Sequence, residues 1–339
     1  MEHLALYRKY RPKTFEEVIG QEHITKALQN QIMCDKKSHA YLFTGSRGIG
    51  KTSVARIFAK AVNCLHNENG SPCGECEVCK NLEKQNDINV IEIDAASNNR
   101  VDDVREIREK VKFMPVGARY KVYIIDEVHM LTDSAFNALL KTLEEPPAHV
   151  IFILATTEPH KLPATILSRC TRFDFRLVGV DKLTALLEKV LDSEEIEYDS
   201  DALKLIAVAG EGSVRDTLSI ADCVVAYSNG KITKEEVMKV LGRTDYDLMI
   251  DYFDKLRDRD AGGILTLISE IDKSGKNLPV FVKELAKHAR ALLVAKSCAN
   301  PNEILSLPDD ALAKTIAQAE KFNEKELISY MQVFGGAEN

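Results

Sequence analysis

No stretch of this 339-residue chain approaches the roughly 18 uninterrupted apolar residues that a membrane-spanning helix needs. Its first residues, MEHLALYRKYRPKTF, contain no apolar h-region, so they do not read as a secretory leader. Internal repeats and low-complexity segments are also missing, which excludes a repeat array. Nor is there a basic excess: the formal net charge of −7 argues against a protein that coats nucleic acid non-specifically. Arg8, Lys9, Arg11 and Lys13 do cluster, but on charge alone they read as a solvated arm. Together these absences predict a cytoplasmic protein with no membrane partner.

What is present suits a globular chain, with 45% hydrophobic and 29% charged residues. The length is too great for one ordinary core and predicts two or three domains. The runs AYLFTG (40–45), NVIEID (89–94), KVYIID (121–126) and VIFILATT (150–157) are short, apolar and separated by helical periodicity. That alternation is the pattern of an α/β domain with a parallel sheet and crossover helices, to which RFDFRL (172–177) adds a strand. TDSAFNALLKTLEEPP is the clearest helix: Thr132 or Asp133 caps it, Phe136, Leu139, Leu140 and Leu143 share a face, and Pro146 and Pro147 end it. Beyond Leu177 the pattern is helical throughout. Breaks near Val178 and Gly242 predict an α/β domain over 1–178, a small helical domain over 179–242 and a longer-helix domain over 243–339. The sequence stops at GGAEN directly after an apolar helix, so the last domain is expected to be truncated.

GSRGIGKT (45–52) fits G-x-x-x-x-G-K-[ST] after a strand and before a helix, the context a P-loop requires. Gly45, Gly48 and Gly50 let the backbone turn tightly, so that the amides around Ser46, Arg47, Ile49 and Ser53 and the following helix N-terminus can surround phosphates. Lys51 supplies charge for the β- and γ-phosphates of ATP, and Thr52 a hydroxyl for Mg²⁺. Asp126 and Glu127 close the third strand; the first can hold magnesium and the second can orient and deprotonate water. Thr156 and Thr157 end the next strand; one hydroxyl there could touch the attacking water or γ-phosphate, or both are ordinary strand-end threonines, and position alone does not choose between these readings. Spacing gives no role to Arg215 in GEGSVRDTLS (210–219).

Eight cysteines are unevenly placed. Cys64-x₈-Cys73-x₂-Cys76-x₂-Cys79 sits on a Gly-, Asn- and Pro-rich loop, and four thiolates leave no open coordination position, so a structural Zn²⁺ site is expected over 64–79. In PATILSRCTR (163–172), Arg169 stands beside Cys170 with no carboxylate nearby in sequence.

GSRGIGKT, IIDEVHM, LATT, LSRC and GSVRD, in that order, resemble the clamp-loader clade of AAA+ ATPases, and the resemblance extends over essentially the whole chain, strongest over 4–178. It implies a zinc-bearing α/β AAA+ domain, a helical lid and a helical collar. Lys51 and Thr52 then match the Walker A pair, Asp126 and Glu127 the Walker B pair, Thr157 sensor 1 and Arg215 sensor 2. Arg169 matches the arginine finger that enters a neighbouring subunit's site. Arg11, Pro12, Val18 and Ile19 match the segment around adenine. In SNNRVDD (97–103), Asn98 and Asn99 either face DNA phosphate or form an ordinary polar cap. The implied activity is a DNA- and clamp-stimulated ATPase within a DNA polymerase holoenzyme. The implied partners are delta- and delta-prime-type subunits in a hetero-pentamer, the sliding clamp and primer–template DNA, with polymerase core and helicase only through a longer C-terminus. Two other readings share parts of the pattern: a catalytically silent stator subunit, and a branch-migration or helicase-type AAA+ ring.

Overall fold

The computed structural model describes residues 4–336 apart from 68, 84–87, 100, 229, 242–244, 274–277, 306 and 308. Five strands, β1 Ala40–Thr44, β2 Val90–Asp94, β3 Lys121–Asp126, β4 Val150–Thr156 and β5 Thr171–Asp174, form one sheet in the order β2-β3-β4-β1-β5. Every pairing is parallel, as the apolar runs require. The three inner strands are buried along almost their whole length, whereas the edge strands β2 and β5 are only partly covered.

Side chains alternate across the sheet and give each face its own core. Tyr41, Phe43, Ile124 and Ile153 pack with Ile24 and Leu28 of α2 (Glu22–Met33) and Val54, Ile57 and Phe58 of α3 (Lys51–Asn63). A short helix, α1 (Leu6–Lys9), precedes them, and α4 (Glu77–Glu83) follows. On the opposite face Leu42, Tyr123, Phe152 and Leu154 meet α5 (Val101–Val111) and α6 (Asp133–Glu144) through Val104, Ile107, Phe136 and Leu139. Thr132 is the cap of α6, its Oγ1 accepting from the Ala135 N–H at 3.3 Å, so Asp133 becomes the first helical residue. One turn, α7 (Ala164–Leu167), leads into β5.

Four strand ends fall inside the expected runs, those of β1 and β4 by one residue each, the start of β2 and the end of β5. β5 stops at Asp174 because the Gln21 side chain takes both backbone groups of Arg176, at 2.7 and 3.1 Å. β2 starts at Val90; just before it the Asn89 carbonyl accepts the Val122 N–H at 2.7 Å, and the Asn89 side chain pairs with both backbone groups of Val116.

The remaining helices are α8 (Val180–Ser193), α9 (Ser200–Ala209), α10 (Val214–Tyr227), α11 (Lys234–Val240), α12 (Asp245–Arg257), α13 (Ala261–Lys273), α14 (Leu278–Ser297), α15 (Asp309–Ala319) and α16 (Glu324–Gly336). The chain forms two compact units, Met1–Leu186 with Gly210–Ile220, and Leu187–Ala209 with Ala221–Asn339. In the second, Phe253, Leu285, Leu292, Phe322 and Leu327 centre a helical core. The expected break near Gly242 lies outside the described residues. Among the described residues no helix is long and apolar enough to cross a membrane.

Candidate functional site

The loop between β1 and α3 is shaped by glycine. Gly45, Gly48 and Gly50 hold φ of 138°, 76° and 102°, in the region that disfavours any side chain. Gly48 is also closely covered: a Cβ there would stand 2.1 Å from Ser213 Oγ, and Gly48 O accepts the Arg215 N–H at 3.1 Å. Ile49 is buried in the core and anchors the loop, while Ser46 and Arg47 stay exposed. Lys51 is only 5% exposed, and its Nζ donates to Gly45 O and Ser46 O, both at 2.8 Å. Burial lowers its pKa, while the carboxylates of Glu127 and Asp126 act to raise it. A buried ammonium ringed by a glycine-formed backbone cradle is a fit for polyphosphate.

Parallel pairing of β3 and β4, and of β4 and β1, brings the strand-end residues to this loop. Thr52 Oγ1 donates to Asp126 Oδ2 at 2.8 Å, a hydroxyl–carboxylate pair suited to a hard divalent cation. Glu127 sits at φ 47°, and its N–H bonds Asp126 Oδ1 at 3.0 Å. Its Oε2 accepts from both the N–H and Oγ1 of Thr157, at 3.1 and 3.0 Å. The two threonines are therefore not equivalent: fully buried Thr156 turns its Oγ1 to His129 Nδ1 and the Glu158 N–H.

The N-terminal segment lies against α3. Arg11 Nε donates to Ser53 Oγ at 3.0 Å, and burial, aided by the neighbouring Arg56 charge, lowers the Arg11 pKa. Val18 is buried in the sheet core, with Pro12 and Ile19 half-buried beside it in sequence. The Arg215 guanidinium stands 5.1 Å from the centre of the Tyr7 ring, a cation–π contact.

Arg169 is not unpaired. Glu144, distant in sequence at the end of α6, meets its Nη2 at 2.8 Å, and Thr165 O accepts from Nη1. Both partners are partly exposed, so the pair contributes about 0–1 kcal/mol and holds the arginine only weakly. Among the described contacts of Arg169 none is with 45–53, Asp126, Glu127 or Thr157. Burial pushes the Cys170 thiol up to about 11. The Asn98 side chain donates to Asp94 O within its own loop, and Asn99 O accepts from Thr132, tying the loop to the cap of α6.

The cysteine loop closes on itself. The sulfurs of Cys64, Cys73, Cys76 and Cys79 all lie within 4.8 Å of one another, a spacing that fits four thiolates around one tetrahedral Zn²⁺. Backbone N–H groups of Cys73, Cys76 and Cys79 donate to the sulfurs of Cys64, Cys73 and Cys76 respectively. Burial alone would raise the Cys76 thiol, but backbone N–H groups of Leu65 and Cys79 bring it down to about 6. Burial pushes Cys64 and Cys79 upward, so the four do not all ionise readily without a cation. The loop is braced outside its ligands, where Ser71 Oγ donates to Glu16 and the Gln29 side chain also reaches Glu16.

Sequence reasoning gave no role to His129, Glu144, Tyr7, Ser213 or Gln21. Position two residues beyond Asp126–Glu127 was a usable signal for His129; the others depend on contacts between distant segments.

The sheet order and P-loop define an AAA+ fold, and the solved structures agree. The Thermotoga maritima RuvB Holliday junction branch migration motor is 21% identical, with a TM-score of 0.54 over 73% of this chain and 80% of that one. In sequence, residues 20–178 match the family described as DNA polymerase III, delta subunit. Residues 182–230 match the DNA polymerase III clamp loader subunit ATPase lid domain, and 232–338 match domain III of DNA polymerase III subunits gamma and tau. DNA polymerase III subunit gamma of Buchnera aphidicola is 40% identical, covering 81% of this chain and 76% of the relative. Subunit tau of Bacillus subtilis is 48% identical over 88% of this chain and 53% of its own length, and that of Escherichia coli 42% identical over 93% and 50%. The chain belongs to the gamma/tau family of DNA polymerase III clamp-loader subunits. It spans about half the length of most of the curated relatives it matches.

Proposed function

We propose that this chain is an ATPase motor subunit that uses ATP binding and hydrolysis to load a sliding clamp onto primed DNA. The observation that carries the reading is the complete set around the P-loop: Lys51 in its cradle, Thr52 bonded to Asp126, and Glu127 bonded to Thr157. In this reading residues 45–53 bind the triphosphate, and Lys51 stabilises charge on its β- and γ-phosphates. Mg²⁺ held by Thr52 and Asp126 would neutralise charge on the transferring phosphoryl group. Glu127 orients the attacking water and takes its proton, a role typically worth 10²–10⁴-fold in rate. Thr157 and Arg215 respond to the γ-phosphate, and Arg11, Pro12, Val18 and Ile19 surround the adenine.

The assembly reading follows from what one chain lacks. Arg169 makes its contacts away from its own P-loop, as a residue must if it serves a neighbour's site. Residues 1–178 act as the ATPase domain, with zinc on Cys64, Cys73, Cys76 and Cys79, 179–242 as the lid and 243–339 as the collar of a hetero-pentamer. Delta- and delta-prime-type subunits complete the ring, which works in the cytoplasm on primer–template DNA. Asn98 and Asn99 face that DNA through the exposed surface of their loop.

ATP turnover measured with clamp, partner subunits and primed DNA tests this. Stimulation by clamp and DNA together is expected, and its absence would overturn the motor reading in favour of a branch-migration-type ring. A silent stator subunit would instead show no turnover in any mixture. Replacing Arg169 by Ala is expected to leave ATP binding by this chain intact and to slow hydrolysis at the neighbouring site by about 10³-fold.

A further inference from the structure

One buried side chain beside the phosphate site has no role in the reading above. His129 lies on a single 3₁₀ turn, Val128–Met130, directly after Glu127. Val128 is fully buried and Leu131 nearly so, which fixes the turn from both sides of the imidazole. The ring is 9% exposed and sits between two strand-end carboxylates. Nδ1 stands 2.9 Å from Thr156 Oγ1 and 3.4 Å from Glu127 Oε2, and Nε2 stands 3.4 Å from Glu158 Oε2.

Thr156 Oγ1 already accepts the Glu158 N–H at 3.0 Å, so the hydroxyl is a fixed point on β4. The Nδ1 edge of His129 is hydrogen-bonded to that hydroxyl and lies against the Glu127 carboxylate. Two donors converge on Oε2 of Glu127, the N–H and Oγ1 of Thr157, and the Nδ1 edge of the imidazole lies against the same oxygen at 3.4 Å. The same carboxyl group is left with Oε1 as the oxygen whose lone pairs can take a proton.

We propose that His129 is a positioning residue for ATP hydrolysis: it pins Oε2 of Glu127 to the end of β4 and thereby presents Oε1 to the attacking water. This rests on Glu127 being the base. Freed of the imidazole, the Glu127 carboxylate gains rotational freedom about a backbone already held at φ 47°, and the loss falls on the chemical step rather than on nucleotide binding.

The test compares kcat and KM for ATP in the full chain within its assembly. His129→Ala is expected to lower kcat at least tenfold with KM changed less than twofold. His129→Asn, whose side-chain amide can reach the place of Nδ1, recovers most of that loss, while His129→Gln, which extends toward the place of Nε2, does not. In a Glu127→Gln background, His129→Ala adds no further loss, because the two act through one carboxylate. A His129→Ala enzyme with unchanged kcat, a loss confined to KM, or full additivity with Glu127→Gln would each overturn the proposal. Wild-type turnover in Glu127→Gln alone would instead remove the base assignment beneath it. A slow Glu127→Gln beside a full-speed His129→Ala would remove only the positioning role.

Discussion

The nucleotide site and the cysteine loop lie in the same compact unit and are built on opposite plans. The first draws on residues from Arg11 to Arg215, brought together by parallel strand pairing and a glycine-formed turn. The second draws on residues 64–79, and its sulfurs are oriented by their own loop's N–H groups. Burial raises the Cys64 and Cys79 thiols, so all four sulfurs become thiolates together only where a cation takes their charge. One site is thus assembled by the whole sheet, and the other by a single short loop.

Removing ligand-binding groups from one site at a time should separate them. The largest effect is expected for Lys51→Ala, which should weaken ATP binding on the order of 100-fold or more through loss of a charge buried among phosphates. Zinc content should stay at one equivalent and the melting temperature nearly unchanged; an ATP titration beside a metal analysis reads both. Retained ATP affinity would contradict the P-loop assignment. The reciprocal variant, Cys76→Ser with Cys79→Ser, should abolish zinc and leave residues 64–80 open to protease, yet change ATP affinity less than threefold. A larger fall would show that the loop supports the nucleotide site through the Glu16–Ser71–Gln29 bonds rather than folding independently.

The smallest effect concerns a region with neither site. In the helical core, His288 is 3% exposed and its Nε2 meets Gln318 Oε1 at 2.8 Å. Burial lowers its pKa, against the smaller upward pull of Gln318 and Asp254. The unfolded chain therefore binds a proton at His288 below about pH 6.5 that the folded chain refuses, so stability falls as pH drops through and below that value. Thermal melting at pH 8 and pH 5.5 should differ by about 2–4 °C more in the wild type than in His288→Gln. Equal pH dependence in the two proteins would place the titration elsewhere.

The same contrast governs what could be read in the sequence. The cysteine set was legible in full because its spacing is the site. Five strands were legible to within a few residues because each is a continuous apolar run, and α6 because cap, face and terminating prolines are local. Strand order was not, since nothing in AYLFT states that its neighbours lie beyond residue 149. Sequence proximity also misled at Arg169, where the missing carboxylate is Glu144 on another element. The Gln21 side-chain clamp on Arg176 and the seating of the Arg215 N–H on Gly48 O escape notice for the same reason: each pairs groups far apart in the chain.

The central position of β1 has a consequence in time. Its two sheet neighbours, β4 and β5, begin at Val150 and Thr171, well over a hundred residues after Ala40. At elongation rates of about 5–20 residues per second, the ribosome needs on the order of 5–20 s to supply the first of them. Throughout that interval Tyr41, Leu42 and Phe43, all destined for complete burial, have no strand to pair with. The nascent chain is thus most exposed to aggregation before β4 emerges, and a helper that shelters an apolar segment for those seconds acts where the sheet most needs it.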